Sequence, residues 1–225
     1  MILDWIFPPL CVHCDSKTKS SRFPLCKTCL TDLEKISPEE RCPKCFSAKE
    51  NSFCQRCHDY PLGLQGVAAT FEHLGAASTL LKEWKVCSRP ALVKGLAAWM
   101  AVQFLELQWP PPDLIVPIPQ TILQAMTFGF NPPQLLAQEL SKILNVPMRS
   151  LLKKNWGHPP QARLLWEDRK KLSYRAFEWR GKEDISDKTI LLVDDLIGTG
   201  ATLKAAAFRL REGFPKAIYG LVLCI

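Results

Sequence analysis

An apolar run that leads through two acids into a loop of glycine and threonine is the segment with the clearest chemistry. Residues 190–202 read Ile-Leu-Leu-Val-Asp-Asp-Leu-Ile-Gly-Thr-Gly-Ala-Thr. The run predicts a buried strand, and open α/β sheets bind ligands at the carboxyl ends of their strands. The loop then enters a helix, whose first N–H groups suit a phosphate, while vicinal hydroxyls can donate to Asp194 and Asp195. We therefore predict a ribose 5-phosphate site; the alternative is an ordinary turn with a helix cap.

Glycine and threonine serve different purposes in this loop. Gly198 and Gly200 allow the backbone to approach a ligand closely, and the hydroxyls of Thr199 and Thr202 can donate hydrogen bonds. The predicted ligand-binding set is Asp194, Asp195, Gly198, Thr199, Gly200, Ala201 and Thr202.

Eight of the ten cysteines form four C-x-x-C pairs. Each pair directs two thiolates to one point, and two pairs complete a tetrahedral zinc site without an open position. We therefore predict two structural zinc ions; iron–sulfur clusters are the main alternative, but this spacing favours zinc. Sequential pairing is the simplest arrangement, and an interleaved pairing stays open. The predicted ligands are Cys11, Cys14, Cys26, Cys29, Cys42, Cys45, Cys54 and Cys57.

The other two cysteines, Cys87 and Cys224, have apolar neighbours and are predicted to lie in the core. The first ten residues lack a basic region and a cleavage site of small residues, and no apolar stretch is long enough for a membrane span. We expect a cytoplasmic, reducing location, where cysteine clusters bind metals rather than form disulfides. The net charge of +7 fits a partner rich in phosphate, and it fits a solvated surface equally well.

The elements that must position these residues alternate between strands and helices after residue 60. This alternation predicts an α/β fold with a mostly parallel sheet flanked by helices over residues 61–225, preceded by a small zinc module over residues 1–60. The predicted strands are 67–71, 114–118, 190–193 and 217–224, and the predicted helices are 76–85, 91–107, 133–144 and 203–212.

A basic, polar segment interrupts this alternation. Residues 149–188 contain eleven lysines and arginines against six acids. Aromatic residues lie among them, a combination that suits a single-stranded nucleic acid; the alternative is that the aromatic rings pack in the core and the charges are solvated. The weak periodicity of residues 151–181 predicts a long loop or a small subdomain. The aromatic residues are Trp156, Trp166, Tyr174 and Trp179.

The chain resembles the ComF family of competence proteins, which joins a double zinc ribbon to a type I phosphoribosyltransferase-like domain. The segment 190–202 is similar to the loop that binds phosphoribosyl pyrophosphate (PRPP) in those transferases, and the cysteine pairs are similar to the zinc ribbons. Further matches are Lys85 in Trp84-Lys85-Val86, Val116-Pro117-Ile118-Pro119, Gly129-Phe130-Asn131, Gln161, Arg169 and Ala176-Phe177.

This resemblance implies a role for each matched part. Asp194 and Asp195 would hold the ribose hydroxyls, and residues 198–202 the 5-phosphate. The turn after Val116 would be the pyrophosphate loop. Lys85 and Arg169 are the candidate catalytic residues, contacting a pyrophosphate that Mg²⁺ neutralises; a solvated surface charge is the alternative for each.

The chain departs from the family around the pyrophosphate loop. Phe128 precedes Gly129 where the family has arginine, and residues 121–127 contain no basic side chain. Leu172 replaces an asparagine, and Gly198 replaces a more usual threonine or serine. Fewer cationic donors predict weaker binding or slower departure of the pyrophosphate.

Three functions fit these observations. The first is a PRPP-binding protein of natural competence, with single-stranded DNA and the helicase and processing proteins of DNA uptake as partners. The second is an active phosphoribosyltransferase of nucleotide salvage. The third is a zinc-ribbon adaptor that retains the PRPP loop without using it.

Overall fold

The computed structural model describes most of the chain. The described residues are 9–18, 24–49, 54–87, 89–120, 129–155, 176–180 and 183–225. The residues singled out above that lie outside them are Phe128, Trp156, Gln161, Trp166, Arg169, Leu172 and Tyr174, together with the range 121–127.

A parallel sheet of four strands forms the centre of the larger part of the chain. The two strands over residues 189–196 and 217–224 lie in the middle of the sheet, where their apolar side chains are buried on both faces. This confirms the predicted mostly parallel sheet. The strands are β1 (Gly66–Phe71), β2 (Leu114–Pro117), β5 (Thr189–Leu196) and β6 (Ala217–Cys224), in the order β1-β6-β5-β2.

The described cysteine-rich segment contains two short helices that the sequence did not predict, α1 (Lys27–Thr31) and α2 (Gln55–Asp59). Four longer helices lie in the described α/β part, each with bounds within two residues of those predicted: α3 (Gly75–Lys85), α4 (Val93–Glu106), α5 (Pro132–Leu144) and α6 (Ala201–Leu210). Helix α4 packs against β1 and β6, and α5 packs against β2, β5 and α4. Helix α5 begins after Asn131, whose side chain accepts a hydrogen bond from the N–H of Gln134.

The ends of the basic segment pair with each other. Strands β3 (Leu152–Lys154) and β4 (Phe177–Trp179) form an antiparallel pair that packs against α6. The described parts of this segment on either side of residues 156–175 therefore form a small antiparallel sheet; whether the residues between are a long loop or a small subdomain stays a prediction. The ring of Trp179 is partly buried and lies against Gly213, so this tryptophan packs in the core; Trp156, Trp166 and Tyr174 lie outside the described residues.

The cysteine-rich segment packs along the β1 edge of the sheet. The N–H of Ile36 donates to the carbonyl of Thr70 in β1 at 2.9 Å, and Arg41 forms an ion pair with Glu72. Leu33 and Phe46 are buried in a cluster that continues into the sheet. The zinc segment thus shares apolar contacts with the α/β part; the boundary at residue 60 stays a prediction.

The two unpaired cysteines have different surroundings. Cys224 is buried at the end of β6, as predicted. Cys87 is exposed, so the prediction of a core position was wrong: the residue follows the last turn of α3, where the chain faces solvent. Within the described ranges, no helix has the length and apolar character that crossing a bilayer requires.

Candidate functional site

A cleft of about 350 Å³ opens where β5 ends and α6 begins. It is the carboxyl edge of the sheet, where the sequence placed the ligand. The cleft brings together the predicted loop, Lys85 of α3 and residues after β2 that had been matched to a pyrophosphate loop. The lining residues are Lys85, Ile118, Pro119, Gln120, Pro133, Lys154, Asp194, Asp195, Leu196, Ile197, Gly198, Thr199, Gly200, Ala201, Thr202 and Leu203.

Lys85 reaches the acid pair instead of extending into solvent. Its Nζ lies 2.8 Å from Oδ2 of Asp195, and both side chains are largely buried. The contact is an ion pair by distance, although Oδ2 lacks the geometry of a hydrogen bond to any described group. A buried carboxylate oxygen without a hydrogen bond can still accept one from a ligand hydroxyl or bind a hard cation.

Asp194 is held in a different environment from its neighbour. Its Oδ1 accepts a hydrogen bond from the N–H of Asp195 at 2.9 Å, and the side chain is buried. Burial, and next the adjacent Asp195 carboxylate, raise the pKa of Asp194 to about 8, against the opposing effect of Lys85 and Lys154. Burial and the neighbouring charge therefore favour the protonated form of Asp194 in the absence of a ligand.

Lys154 is a site residue that the sequence did not single out. It ends β3 and lines the same cleft as the acid pair. Burial lowers the pKa of Lys154, and the nearby carboxylates of Asp194 and Asp195 oppose that change. In the sequence it counts as one of eleven basic residues, and its position becomes visible once β3 pairs with β4. Gln120, which also lines the cleft, was likewise not singled out from the sequence. Its buried Oε1 has no hydrogen-bond partner within the described part of the chain.

The loop between β5 and α6 is shaped by two glycines in different ways. Gly200 has a φ of +81° and precedes the first residue of α6, and a Cβ built on it would lie 2.5 Å from Cδ2 of Leu62. No described atom lies within 4 Å of a Cβ built on Gly198, so the space beside it is open to a ligand. The hydroxyl oxygen of Thr199 accepts a hydrogen bond from the N–H of Ala201 at 3.2 Å, which stabilises the turn.

Replacing Gly200 with alanine should destabilise the protein, whereas the same change at Gly198 should not. Alanine at Gly200 would be strained by the positive φ and would collide with Leu62. We expect Gly200→Ala to lower the free energy of unfolding by about 1–3 kcal/mol. Chemical denaturation measures both variants, with Gly198→Ala as the matched control. Equal stability of the two variants would contradict the conformation assigned to Gly200.

The raised pKa of Asp194 predicts a pH-dependent cost to stability. In the unfolded chain this carboxyl group releases its proton near pH 4, but in the folded chain it does so near pH 8. The wild type should therefore lose stability as the pH rises from 4 to 8, because the unfolded state binds fewer protons in that range. Asp194→Asn removes this loss while keeping an oxygen that accepts from Asp195.

Denaturation at pH 5.5 and at pH 8 tests this expectation. The stability of Asp194→Asn relative to wild type should increase between the two values, by up to about 1.4 kcal/mol per pH unit. Asp184→Asn is the control, since hydrogen bonds from Ser186 lower the pKa of that exposed carboxyl group below the tested range. If the relative stability of Asp194→Asn stays constant with pH, Asp194 is not protonated in the folded protein.

The eight paired cysteines form two clusters, each of four. Within each cluster the Sγ atoms all lie within 4.8 Å of one another. The Sγ atoms of Cys14 and Cys26 are 3.6 Å apart, as are those of Cys45 and Cys54. Four sulfurs around zinc at about 2.3 Å lie roughly 3.8 Å from one another, so both clusters fit the ion. The clusters follow the sequential pairing: Cys11, Cys14, Cys26 and Cys29 in one, and Cys42, Cys45, Cys54 and Cys57 in the other.

The two clusters are built on a repeated turn. Residues 11–16 and 42–47 both read Cys-x-x-Cys-x-Ser. In each, the first cysteine N–H donates to the serine carbonyl, and the fifth residue, Asp15 or Phe46, has a φ near +60°. The Ser47 hydroxyl lies near the sulfurs of Cys45 and Cys54, and its hydrogen bond lowers the pKa of Cys54 to about 6. This favours the thiolate that zinc requires.

The fold and the two kinds of site define a phosphoribosyltransferase-type α/β domain that carries a double zinc ribbon. Residues 134–224 match the phosphoribosyl transferase domain family, and residues 2–59 match the double zinc ribbon domain family. Competence protein F of Haemophilus influenzae (strain ATCC 51907 / DSM 11121 / KW20 / Rd) is 25% identical over 210 residues, which cover 90% of each chain. The chain is a homologue of competence protein F, and the resemblance to the ComF family is confirmed.

Proposed function

We propose that the chain binds PRPP or a related ribose 5-phosphate nucleotide and supports the uptake and processing of single-stranded DNA in natural competence. The observation that supports ligand binding is the cleft itself. It combines an acid pair, an open glycine-containing loop at a helix start, and two lysines on other elements. Such a combination offers acceptors for hydroxyl groups and donors for phosphates within one volume of about 350 Å³.

In this proposal each part of the cleft takes one part of the ligand. Asp194 and Asp195 accept hydrogen bonds from the ribose hydroxyls, and the N–H and hydroxyl groups of residues 198–202 bind the 5-phosphate. Residues 117–120, with Lys85, contact the pyrophosphate; Arg169, outside the described residues, is a further candidate. Mg²⁺ would neutralise the pyrophosphate charge, and the buried Asp195 Oδ2 is an oxygen donor of the kind that it prefers.

The two lysines have a second purpose in the absence of a ligand. Two adjacent buried carboxyl groups repel each other when both are ionised, and the nearby cations reduce this repulsion. When a pyrophosphate enters, Lys85 can exchange part of its contact with Asp195 for a contact with the ligand. The ribose hydroxyls then replace Lys85 as partners of the Asp195 carboxylate.

Calorimetry with PRPP in the presence of Mg²⁺ tests the proposal. We expect micromolar binding, weaker binding of ribose 5-phosphate, and weaker binding of pyrophosphate alone, because each fragment fills part of the cleft. The absence of PRPP binding to folded protein with two bound zinc ions would overturn the proposal and favour the adaptor function.

An active transferase remains the second candidate, and one observation favours it. Reaction at C1 of PRPP requires charge stabilisation of the departing pyrophosphate, and the partly buried side chains of Lys85 and Lys154 line the cleft. The absence of basic residues from positions 121–127 of the sequence counts against efficient departure of the pyrophosphate. Release of pyrophosphate from PRPP on addition of a base would establish this activity.

Single-stranded DNA is the proposed macromolecular partner. Of the basic segment, Arg149, Lys153 and Arg180 are exposed around the β3–β4 pair. Phosphate contacts of this kind make binding steeply dependent on salt. Absence of binding to a single strand at low salt would overturn this part of the proposal. We further propose that the protein works in the cytoplasm, where reducing conditions keep the thiolates available to zinc.

A further inference from the structure

We propose that Arg56 of the second zinc ribbon is a positioning residue for the phosphate-binding loop. Its Nη2 donates a hydrogen bond to the carbonyl of Gly198 at 2.8 Å, across 142 positions of sequence. Arg56 lies in α2, between the zinc ligands Cys54 and Cys57. The metal cluster and the loop are therefore joined by one side chain. The identity of the ligand in this inference rests on the function proposed above.

Two further contacts join the same parts of the molecule. Nζ of Lys204 in α6 lies 4.1 Å from the centre of the Tyr60 ring. The side chain of Leu62 occupies the space in which Gly200 could not carry a Cβ. Arg56 thus contacts the start of the loop and Leu62 its end, and Tyr60 contacts the helix that follows. The chain that leaves the second zinc cluster runs along the outside of the phosphate site.

The hydrogen bond from Arg56 has a direct consequence for ligand binding. A trans peptide is planar, so its C=O and N–H point in opposite directions. Because Arg56 holds the Gly198 carbonyl, the N–H of Thr199 is directed away from the zinc ribbon, the orientation in which it is available to an anion in the cleft. Without Arg56, the open surroundings of Gly198 allow this peptide to rotate.

Zinc is expected to hold Arg56 in place. Helix α2 has five residues, too few for a helix to be stable without tertiary or metal contacts. Coordination by Cys54, which precedes the helix, and by Cys57 at its middle would fix it in place. The first cluster makes a different contact, through His13 and Thr79 of α3. The two zinc ions should therefore have unequal effects on the loop.

Hydrogen exchange of the ligand-free, zinc-loaded chain tests the positioning role independently of PRPP. We expect Arg56→Ala to increase exchange of the amides of Ala201 and Lys204, which donate to Thr199 and Gly200 of the loop, about tenfold, with unchanged zinc content. Arg56→Lys should restore part of the protection, because it keeps one donor. Gln55→Ala is the matched control: it lies on the same exposed helix and bonds Asp59 within that helix. Equal loop exchange in Arg56→Ala and Gln55→Ala would overturn the inference.

Calorimetry then links the loop to the ligand. With PRPP and Mg²⁺, Arg56→Ala should lower affinity about tenfold, and Gln55→Ala should leave it within twofold of wild type. Faster loop exchange with unchanged affinity would overturn the role of Arg56 in binding. If wild type does not bind PRPP at all, the proposed ligand is wrong, while the exchange experiment still decides whether Arg56 holds the loop.

Discussion

Asp194→Asn/Asp195→Asn should abolish measurable PRPP binding, with a loss of at least about a hundredfold. A hydrogen bond to the ionised Asp195 contributes about 1.5–3 kcal/mol, and one to Asp194, whose raised pKa favours the neutral form, contributes about 0.5–1.5 kcal/mol, so replacing both lowers affinity by roughly 3 kcal/mol. Lys85 loses its counterion in the variant, which should lower the stability of the ligand-free protein, so folding must be checked beside binding. Calorimetry with Mg²⁺ measures the loss.

The control for this variant removes the same charge elsewhere. Glu178→Gln/Asp187→Asn changes two exposed acids outside the cleft and should bind PRPP as wild type does. Both variants must retain two zinc ions and a cooperative unfolding transition. PRPP binding in Asp194→Asn/Asp195→Asn within tenfold of wild type would show that the acid pair does not contact the ribose, and a new position for the ligand would be needed.

The acid pair and its loop could be predicted from sequence because all their parts are consecutive. A strand, two acids, two glycines and a helix start follow one another within thirteen residues, so local rules suffice to place them at one edge of a sheet. Lys85 could be named from the resemblance, but its ion pair with Asp195 depends on how α3 packs. From the sequence alone, a solvated surface charge was the alternative role for Lys85.

Lys154 and Arg56 could not be predicted in the same way. Each reaches the cleft or its loop from an element that is distant in sequence, and each is one cation among many. Lys154 needs the β3–β4 pairing, and Arg56 needs the second zinc turn to lie against α6. Both positions depend on contacts between segments that are distant in sequence, and no local hydrophobic pattern predicts such contacts. The zinc clusters are intermediate: their ligands were evident from spacing, whereas their pairing required the fold.

Removing zinc should unfold the cysteine-rich segment while the parallel sheet stays folded. In the described part of residues 9–60 the helices have five residues each, and few large apolar side chains are buried. Apolar burial on this scale does not offset the conformational entropy of ordering the segment, whereas structural zinc contributes about 10–16 kcal/mol in comparable small modules. Treatment with a chelator should therefore abolish amide protection over residues 24–49, with β5 and β6 still protected.

Cysteine variants separate the two ions. Cys45→Ser should lose the second zinc and expose the phosphate loop to hydrogen exchange, because α2 then no longer holds Arg56 against Gly198. Cys14→Ser should lose the first zinc with a smaller effect on that loop. Cys87→Ser is the matched control, since Cys87 is exposed and outside both clusters. Retained protection of residues 24–49 after complete zinc removal would show that the segment is stabilised by its packing against β1, through Ile36 and Thr70, and that zinc is not required for its fold.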